Sequence, residues 1–274
     1  MYEIGEEEIE AIAAVIRSGH LFRYYAKDAP DIGHRGEANQ FEAELAAFTG
    51  TTHAVAVTNG SAALQCAFAA LGIGSGDEVI VPSFTFVATA LAVLAVGAVP
   101  VVADIDESLT LDVRDCERKI TERTRAIVPV HMAGLPCNMA AILELTAHRK
   151  IAVVEDACQA MGGTYRGRPL GSIGDIGCYS FNQFKAITCG EGGALVTRDR
   201  RSYERALIYH DPGYSFISAG IAISEPRFAG FNFRTNEIQA AMLRVQLRKL
   251  PAWIDALKEM RRDLRAGLRG HPLL

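Results

Sequence analysis

The chain has 274 residues, and its 49% hydrophobic content is enough for a substantial core and too high for a disordered chain. A formal net charge of −4 excludes the strongly basic surface typical of proteins that bind nucleic acids or anionic membranes. The six cysteines form no C-x-x-C pair, which favours reduced thiols in a cytoplasmic enzyme over a disulfide framework or a zinc site. We expect one large α/β domain, with at most part of a second.

Neither a signal peptide nor a membrane span is predicted. Residues 1–6 are acidic and lack the basic and apolar regions of a signal peptide. The apolar stretch 86–103 is interrupted by Gly97 and Pro100. A bilayer span needs about 20 apolar residues, so a buried helix followed by a buried strand explains this stretch better.

The predicted elements begin with two helices and continue as an alternation of strands and helices. The two helices lie at residues 6–17 and 37–48, on either side of a polar and aromatic loop at 21–36. Strands follow at 54–57, 78–81, 99–103, 126–130 and 151–155, and helices at 61–71, 85–96, 112–120 and 139–149. Two further strands are predicted at 176–181 and 193–197, then a helix at 234–250 and, after Pro251, another that ends near Gly270.

This alternation predicts an α/β fold with a mainly parallel seven-stranded sheet between helices. The strands are continuously apolar, as expected when both faces of a sheet are covered. In such sheets ligands bind beyond the carboxyl ends of the strands. Residues that follow each strand are therefore the candidates for a functional site.

One candidate segment follows the strand at 54–57, where Gly60 makes a turn and a helix begins at Ser61. Free backbone N–H groups and the positive end of the helix dipole would form an anion site there. Ser61 could instead be an ordinary helix N-cap with a structural role only.

A second candidate is Asp156, which directly follows the buried strand 151–155. A buried acid needs a cation or good hydrogen-bond donors. Asp156 is either a structural helix cap or the partner of a protonated ring nitrogen in an electron-withdrawing cofactor.

The third candidate is Lys185, in an apolar loop followed by Gly190-Glu191-Gly192-Gly193. Lysine is rarely buried without a partner, and desolvation favours the neutral amine that attacks a carbonyl carbon. For a lone lysine, a surface hairpin would be the simpler explanation, so the functional interpretation depends on all three segments together.

In chain order, four motifs resemble the DegT/DnrJ/EryC1/StrS family: Asn59-Gly60-Ser61, residues 155–160, Ser180 to Gly193, and Phe231-Asn232-Phe233-Arg234. The resemblance implies the large domain of a fold-type I transferase dependent on pyridoxal 5′-phosphate (PLP), over residues 1–250 with an N-terminal helical segment. Residues 251–274 would form a helix toward a small C-terminal domain that is absent or truncated. The sequence is then either part of a longer protein or a truncated relative with impaired activity.

The resemblance assigns roles to individual residues around the cofactor. Lys185 would hold PLP as a Schiff base and later move the substrate proton. Asp156 would pair with the ring nitrogen, and Gln159 would approach the phenolic oxygen. The phosphate would be bound by Gly60, Ser61 and Ser180.

Two further roles concern the ring face and the partner subunit. Phe86 would stack on the ring, although packing in the core is an equally good explanation of this phenylalanine. Asn232 would reach the phosphate of the neighbouring subunit's cofactor, which implies a homodimer with shared active sites.

The resemblance also implies the reaction: transfer of an amino group from L-glutamate or L-glutamine to a keto- or aldehydo-sugar, as in amino-sugar biosynthesis for lipopolysaccharide or natural products. A dehydratase branch of the family has histidine in place of the lysine, and this chain keeps Lys185. Alternatives are amination of a non-sugar ring carbonyl and a non-catalytic, regulatory PLP-binding protein.

Some segments suggest finer assignments. Residues 22–24, 130–132 and 187–193 resemble the branch that makes 8-amino-3,8-dideoxy-manno-octulosonate. Arg23 and Arg234 are candidates for binding a carboxylate of the amino donor or acceptor, and otherwise are structural or surface arginines. His131 could touch substrate, but a packed and hydrogen-bonded histidine is the better expectation.

Overall fold

The computed structural model describes residues 3–23, 36–213 and 223–269. The helices are α1 (Glu6–Ser18), α2 (Glu37–Thr49), α3 (Gly60–Ala70), α4 (Ala88–Ala95), α5 (Val113–Lys119), α6 (Met139–Thr146), α7 (Arg200–His210) and α8 (Glu237–Leu268), with a 3-10 turn at Met132–Gly134. The strands are β1 (His53–Val57), β2 (Glu78–Pro82), β3 (Val99–Ala103), β4 (Thr124–Ile127), β5 (Ala152–Asp156), β6 (Thr164–Tyr165), β7 (Arg168–Pro169), β8 (Ile176–Ser180) and β9 (Gly193–Thr197).

Seven strands form one sheet in the order β1-β9-β8-β5-β4-β2-β3. β9 runs antiparallel to both of its neighbours, and the other neighbouring pairs are parallel. The prediction of a mainly parallel seven-stranded sheet is confirmed. β6 and β7 form a separate two-stranded hairpin.

Two apolar cores lie on opposite faces of the sheet. Ala54 and Ala56 of β1 belong to one core, with residues of α2, α5, α6 and α8. Val55 and Val57 belong to the other, with residues of α3, α4 and α7. Alternate residues of a strand point to opposite faces, so continuously apolar strands can serve both cores.

The structure corrects the prediction in the last part of the chain. α7 was not predicted. The two helices expected on either side of Pro251 are one helix, α8, which continues through the proline. It begins at Glu237 rather than at Arg234, because the side chain of Asn236 accepts a hydrogen bond from the N–H of Gln239 and the Gln239 side chain completes a capping box. The domain boundary expected at 250/251 remains a prediction.

Within the described residues, no helix combines the length and the apolar character needed to cross a bilayer. Of the loop predicted at 21–36, the structure describes only 21–23 and 36, so Tyr24 and Tyr25 lie outside the described residues.

The buried carboxylate of Glu204 connects α7 to the chain that leads toward α8. It pairs with Arg200 at 2.6 Å and accepts hydrogen bonds from the N–H groups of Ser224 and Glu225. Burial alone would raise its pKa, but the hydrogen bonds from Arg200 and from Ser224 and Glu225 lower the pKa of Glu204 to about 2. These contacts hold the segment after residue 222 against α7.

We therefore expect Glu204→Gln to be less stable than the parent protein at pH 7. A carboxylate whose pKa is lowered by folding stabilises the native state above its unfolded pKa, and the stabilisation is lost as pH falls toward the folded pKa. The difference in urea midpoint between parent and variant should shrink between about pH 4.5 and about pH 2. A difference that is unchanged across this range would show that the charge of Glu204 is not what holds the segment.

Candidate active site

A cavity of about 1060 Å³ lies at the carboxyl ends of β1, β5 and β8. Of the eight residues predicted for the site, seven line this cavity: Gly60, Ser61, Phe86, Asp156, Gln159, Ser180 and Lys185. Asn232 is not among the lining residues. The structure therefore brings together segments that are up to 125 residues apart in the sequence (from Gly60 to Lys185).

The start of α3 forms one wall of the cavity. The side chain of Asn59 caps the helix by accepting a hydrogen bond from the N–H of Ala62 at 2.8 Å. A Cβ atom on Gly60 would lie 2.9 Å from Cβ of Ser180 and 3.0 Å from Sγ of Cys158. Only glycine lets the positive end of α3 approach β8 this closely, and the free N–H groups there suit an anion.

The Asp156 carboxylate is 6% exposed and is held by two donors. Its Oδ2 accepts a hydrogen bond from the hydroxyl of Thr89 at 2.8 Å, and its Oδ1 accepts one from the N–H of Cys158 at 3.2 Å. A carboxylate has about four acceptor positions, so Asp156 can accept another hydrogen bond from within the cavity. Thr89 was missed in the sequence, where its one signal is a hydroxyl in an otherwise apolar helix.

Gln159 is oriented by the 3-10 turn that follows β4. Its Oε1 accepts a hydrogen bond from the N–H of Ala133 at 3.1 Å, and its Nε2 contacts Sδ of Met132 at 3.3 Å. Ala133 has a left-handed backbone with a φ of 51°. The turn therefore fixes the amide so that its NH₂ group has a second hydrogen available as a donor.

Lys185 lies on a turn whose shape is set by Asn182. The carbonyl of Asn182 accepts a hydrogen bond from the N–H of Lys185 at 2.9 Å, and its Oδ1 accepts one from the N–H of Phe184 at 3.1 Å. Its Nδ2 donates to Glu191 at 2.7 Å. Lys185 itself is half-buried and lines the cavity.

Phe86 does not pack in the core, because 66% of its surface is exposed and it lines the cavity. The core-packing interpretation of this residue is therefore wrong. A role in stacking on a ring stays a prediction.

The loop around Asn232 is hydrogen-bonded to another segment of its own chain. The N–H of Phe231 donates to the carbonyl of Tyr209 at 2.8 Å, and that of Phe233 donates to the carbonyl of His210 at 2.9 Å. Both acceptors belong to α7, the helix that was not predicted. Asn232 is exposed, and its Oδ1 accepts from the N–H of Arg234.

The two candidate arginines are structural. Arg23 is 1% exposed and pairs with Glu42 at 2.6 Å. Arg234 pairs with the buried Asp211 at 2.5 Å. Neither lines the cavity of its own chain, so a role in binding a substrate carboxylate stays a prediction.

His131 is packed and hydrogen-bonded, as expected. It is fully buried, with Nε2 at 2.9 Å from Glu155 and Nδ1 as acceptor for the N–H of Cys137.

The protein therefore belongs to the α/β class and has a cavity at the carboxyl edge of its sheet that is lined by a lysine and a buried acid. The chain belongs to the DegT/DnrJ/EryC1/StrS aminotransferase family, whose model matches residues 3–273. The fold class expected from the sequence is confirmed.

Two curated relatives illustrate the chemistry found among similar proteins. The dTDP-3-amino-3,4,6-trideoxy-alpha-D-glucose transaminase of Streptomyces venezuelae is 41% identical over 276 residues, covering 98% of this chain and 67% of the relative. The 3-amino-5-hydroxybenzoate synthase of Amycolatopsis mediterranei (strain S699) is 39% identical over 241 residues, covering 85% of this chain and 60% of the relative. The chain thus spans about three fifths to two thirds of the length of these curated relatives.

A solved structure shows how far the fold extends. The E. coli GDP-4-keto-6-deoxy-D-mannose-3-dehydratase with bound hydrated PLP superposes with a TM-score of 0.86 at 26% identity, covering 99% of this chain and 72% of that chain. The same fold therefore occurs in a dehydratase as well as in transaminases.

Proposed function

We propose that this chain binds PLP and transfers an amino group from L-glutamate or L-glutamine to a keto- or aldehydo-sugar. The observation that carries the proposal is that Lys185, Asp156 and the start of α3 line one cavity. An amine, a buried acid and an anion site are the three features that PLP requires of a protein. The sugar acceptor is supported by the transaminase from S. venezuelae, whose named product is an amino sugar.

The residues present fit PLP on structural grounds. The close approach of Gly60 to Ser180 leaves the start of α3 open to a phosphate group. Asp156 keeps acceptor capacity beyond its two donors, and a protonated ring nitrogen would use it. The exposed ring of Phe86 offers an aromatic face to the same cavity.

When bound, PLP supplies an electrophilic carbon and a ring that withdraws electrons from the amino acid's α-carbon. Lys185 would supply the amine that holds the cofactor, and the same amine could move a proton at the α-carbon of the donor. Asp156 would hold the proton on the ring nitrogen, and the NH₂ group of Gln159 would be available to donate a hydrogen bond to the phenolic oxygen.

Amination of a non-sugar ring carbonyl is the second candidate function, because a 3-amino-5-hydroxybenzoate synthase is 39% identical to this chain. A coupled assay with a panel of keto- and aldehydo-sugar nucleotides and cyclic non-sugar ketones separates the two. Turnover confined to the ring ketones would overturn the sugar assignment. The octulosonate acceptor remains a prediction within the sugar class.

A non-catalytic PLP-binding protein is the alternative from another class. Such a protein has no need of a proton-transferring lysine or of an acid on the ring nitrogen. Single-turnover conversion of bound PLP to pyridoxamine phosphate by L-glutamate would exclude it, and the absence of any conversion with amino donors would support it.

The purified protein loaded with PLP should be yellow, and borohydride should fix the cofactor to Lys185. Lys185→Ala should abolish the reducible link, because no other amine is expected within reach of the carbonyl. Peptide mapping by mass spectrometry checks the position. Lys249 is the matched control, since its amine is paired with Glu7 and Glu8, and a label there or on Lys150 would overturn the assignment.

The role of Asp156 leads to a prediction about rate. Asp156→Asn keeps the size of the side chain and removes the charge that holds a proton on the ring nitrogen. PLP should still bind, but the half-reaction with L-glutamate should slow by about a hundredfold or more, as measured by stopped-flow absorbance. A near-normal half-reaction rate in this variant would mean that Asp156 has only a structural role.

We further propose that the protein is a homodimer in which Asn232 binds the phosphate of the neighbouring subunit's cofactor. Asn232 is exposed and lies outside the cavity of its own subunit, and the adjacent Phe231 is 57% exposed. Exposed aromatic residues are enriched at interfaces, and a two-fold axis would place each loop opposite the other's cavity.

Shared sites predict complementation between two inactive variants. Asn232→Ala should weaken PLP binding about ten- to a hundredfold, or about 1.5–3 kcal/mol, because it removes a hydrogen bond to a charged group. In a mixed dimer with Lys185→Ala, one site carries both changes and the other carries neither, so activity should return when both are expressed together. If mixed dimers form and remain as inactive as the parents, each subunit builds its own complete site.

A further inference from the structure

The segment that carries Phe86 also reaches Asp156 through two hydroxyl groups. Thr85 precedes α4 and Thr89 lies in its first turn, and their Oγ1 atoms are 2.8 Å from each other. The Oγ1 of Thr89 is 2.8 Å from Oδ2 of Asp156. Thr89 is fully buried, so water cannot replace it as the partner of the carboxylate.

The direction of these hydrogen bonds follows from counting protons. An ionised carboxylate can only accept, so the single hydrogen of the Thr89 hydroxyl goes to Asp156. The Thr89 oxygen then accepts the hydrogen of Thr85. Thr85 consequently cannot donate at the same time to the carbonyl of Phe86, which is the more distant acceptor at 3.3 Å.

This chain of hydroxyls restricts the rotation of the Asp156 carboxylate. The N–H of Cys158 holds Oδ1 by a main-chain hydrogen bond, and Thr89 holds Oδ2 from the opposite element, α4. Thr89 thus supplies a side-chain hydrogen bond to Asp156 from a different element of the fold. Because Thr89 lies in the first turn of α4, the positive end of that helix also stabilises the negative charge.

We propose that Thr89 is a positioning residue whose hydroxyl, oriented by Thr85, fixes the Asp156 carboxylate for the ring nitrogen of the bound cofactor. The inference rests on the proposed function, since it requires that Asp156 meets that nitrogen. It adds that residues 85–89 act as one unit. This segment places Phe86 in the cavity wall and orients Asp156 through Thr89. One segment would therefore position both the face of the cofactor ring and its nitrogen.

The test uses pyridoxine 5′-phosphate, which keeps the ring nitrogen and the phosphate but has an alcohol in place of the aldehyde and cannot link to Lys185. Isothermal titration calorimetry on the cofactor-free full chain gives its affinity. Thr89→Val keeps the shape of the side chain and removes the hydroxyl. It should weaken binding about ten- to a hundredfold, the usual effect of losing a hydrogen bond to a charged group.

The control variant is Thr89→Ser, which keeps the hydroxyl and should restore affinity to within about threefold of the parent protein. A purely structural role for the side chain would not produce this rescue. Since Thr89 acts only through Asp156, the change to valine should have almost no further effect in an Asp156→Asn background. Parent-like affinity of Thr89→Val, or an equal loss in both backgrounds, would overturn the proposal.

Thr85→Val provides an independent test, because Thr85 is half-buried and its replacement disturbs the fold less than a change at Thr89. Loss of a hydrogen bond between neutral groups should weaken binding about two- to tenfold. Unchanged affinity of Thr85→Val would show that Thr85 does not orient the Thr89 hydroxyl. If Thr89→Val does not fold, the affinity of Thr85→Val alone decides whether the proposal stands. The proposed function fails separately: if Asp156→Asn binds pyridoxine 5′-phosphate as tightly as the parent, Asp156 does not meet the ring nitrogen at all.

Discussion

The position of the site depends on the hydrogen bonds that the buried carboxylate of Glu155 accepts from two neighbouring loops. This carboxylate is fully buried and accepts hydrogen bonds from the N–H groups of Gly171, Ile173 and Gly174 and from Nε2 of His131. Burial alone would raise its pKa, but the hydrogen bonds from His131, Gly174 and Gly171 lower it. A buried charge that lost these partners would destabilise the fold by about 3–5 kcal/mol. Through them, β5 is tied to the residues after β4 and to those before β8.

Glu155 and Asp156 are neighbours in β5, and successive side chains of a strand point to opposite faces of the sheet. Glu155 therefore meets the loop at 171–174, whereas Asp156 meets Thr89 of α4 and the cavity. Glu155 fixes the end of the strand by its hydrogen bonds, and Asp156 is available to a ligand in the cavity. Aligning the strand ends in this way also brings Ser180, the last residue of β8, next to Gly60.

The sequence predicted which residues meet at the cavity, apart from Asn232, because its signals are local. Each strand is a short apolar run, and Gly60, Asp156 and Lys185 come within a few residues of the ends of such runs, so parallel topology places them at one edge. What the sequence could not predict depends on distant partners. Four of the eleven residues of α7 are charged, so its apolar signal is weak, and its packing against α3 and β1 decides its structure. Arg234 was a candidate for binding a substrate carboxylate because the sequence does not show its partner, Asp211, which lies 23 residues earlier in the chain.

Fold and chemistry are separable in this family, since a dehydratase superposes on this chain as closely as aminotransferases do. The turn at 182–185 shows why. Its shape comes from main-chain hydrogen bonds and from the side chain of Asn182, and the Lys185 side chain makes none of them. A different side chain at position 185 would therefore leave the turn in place and change only the group presented to the cavity. The scaffold built around Glu155 determines where residue 185 lies at the cavity wall, and the side chain at that position determines which functional group faces the cavity.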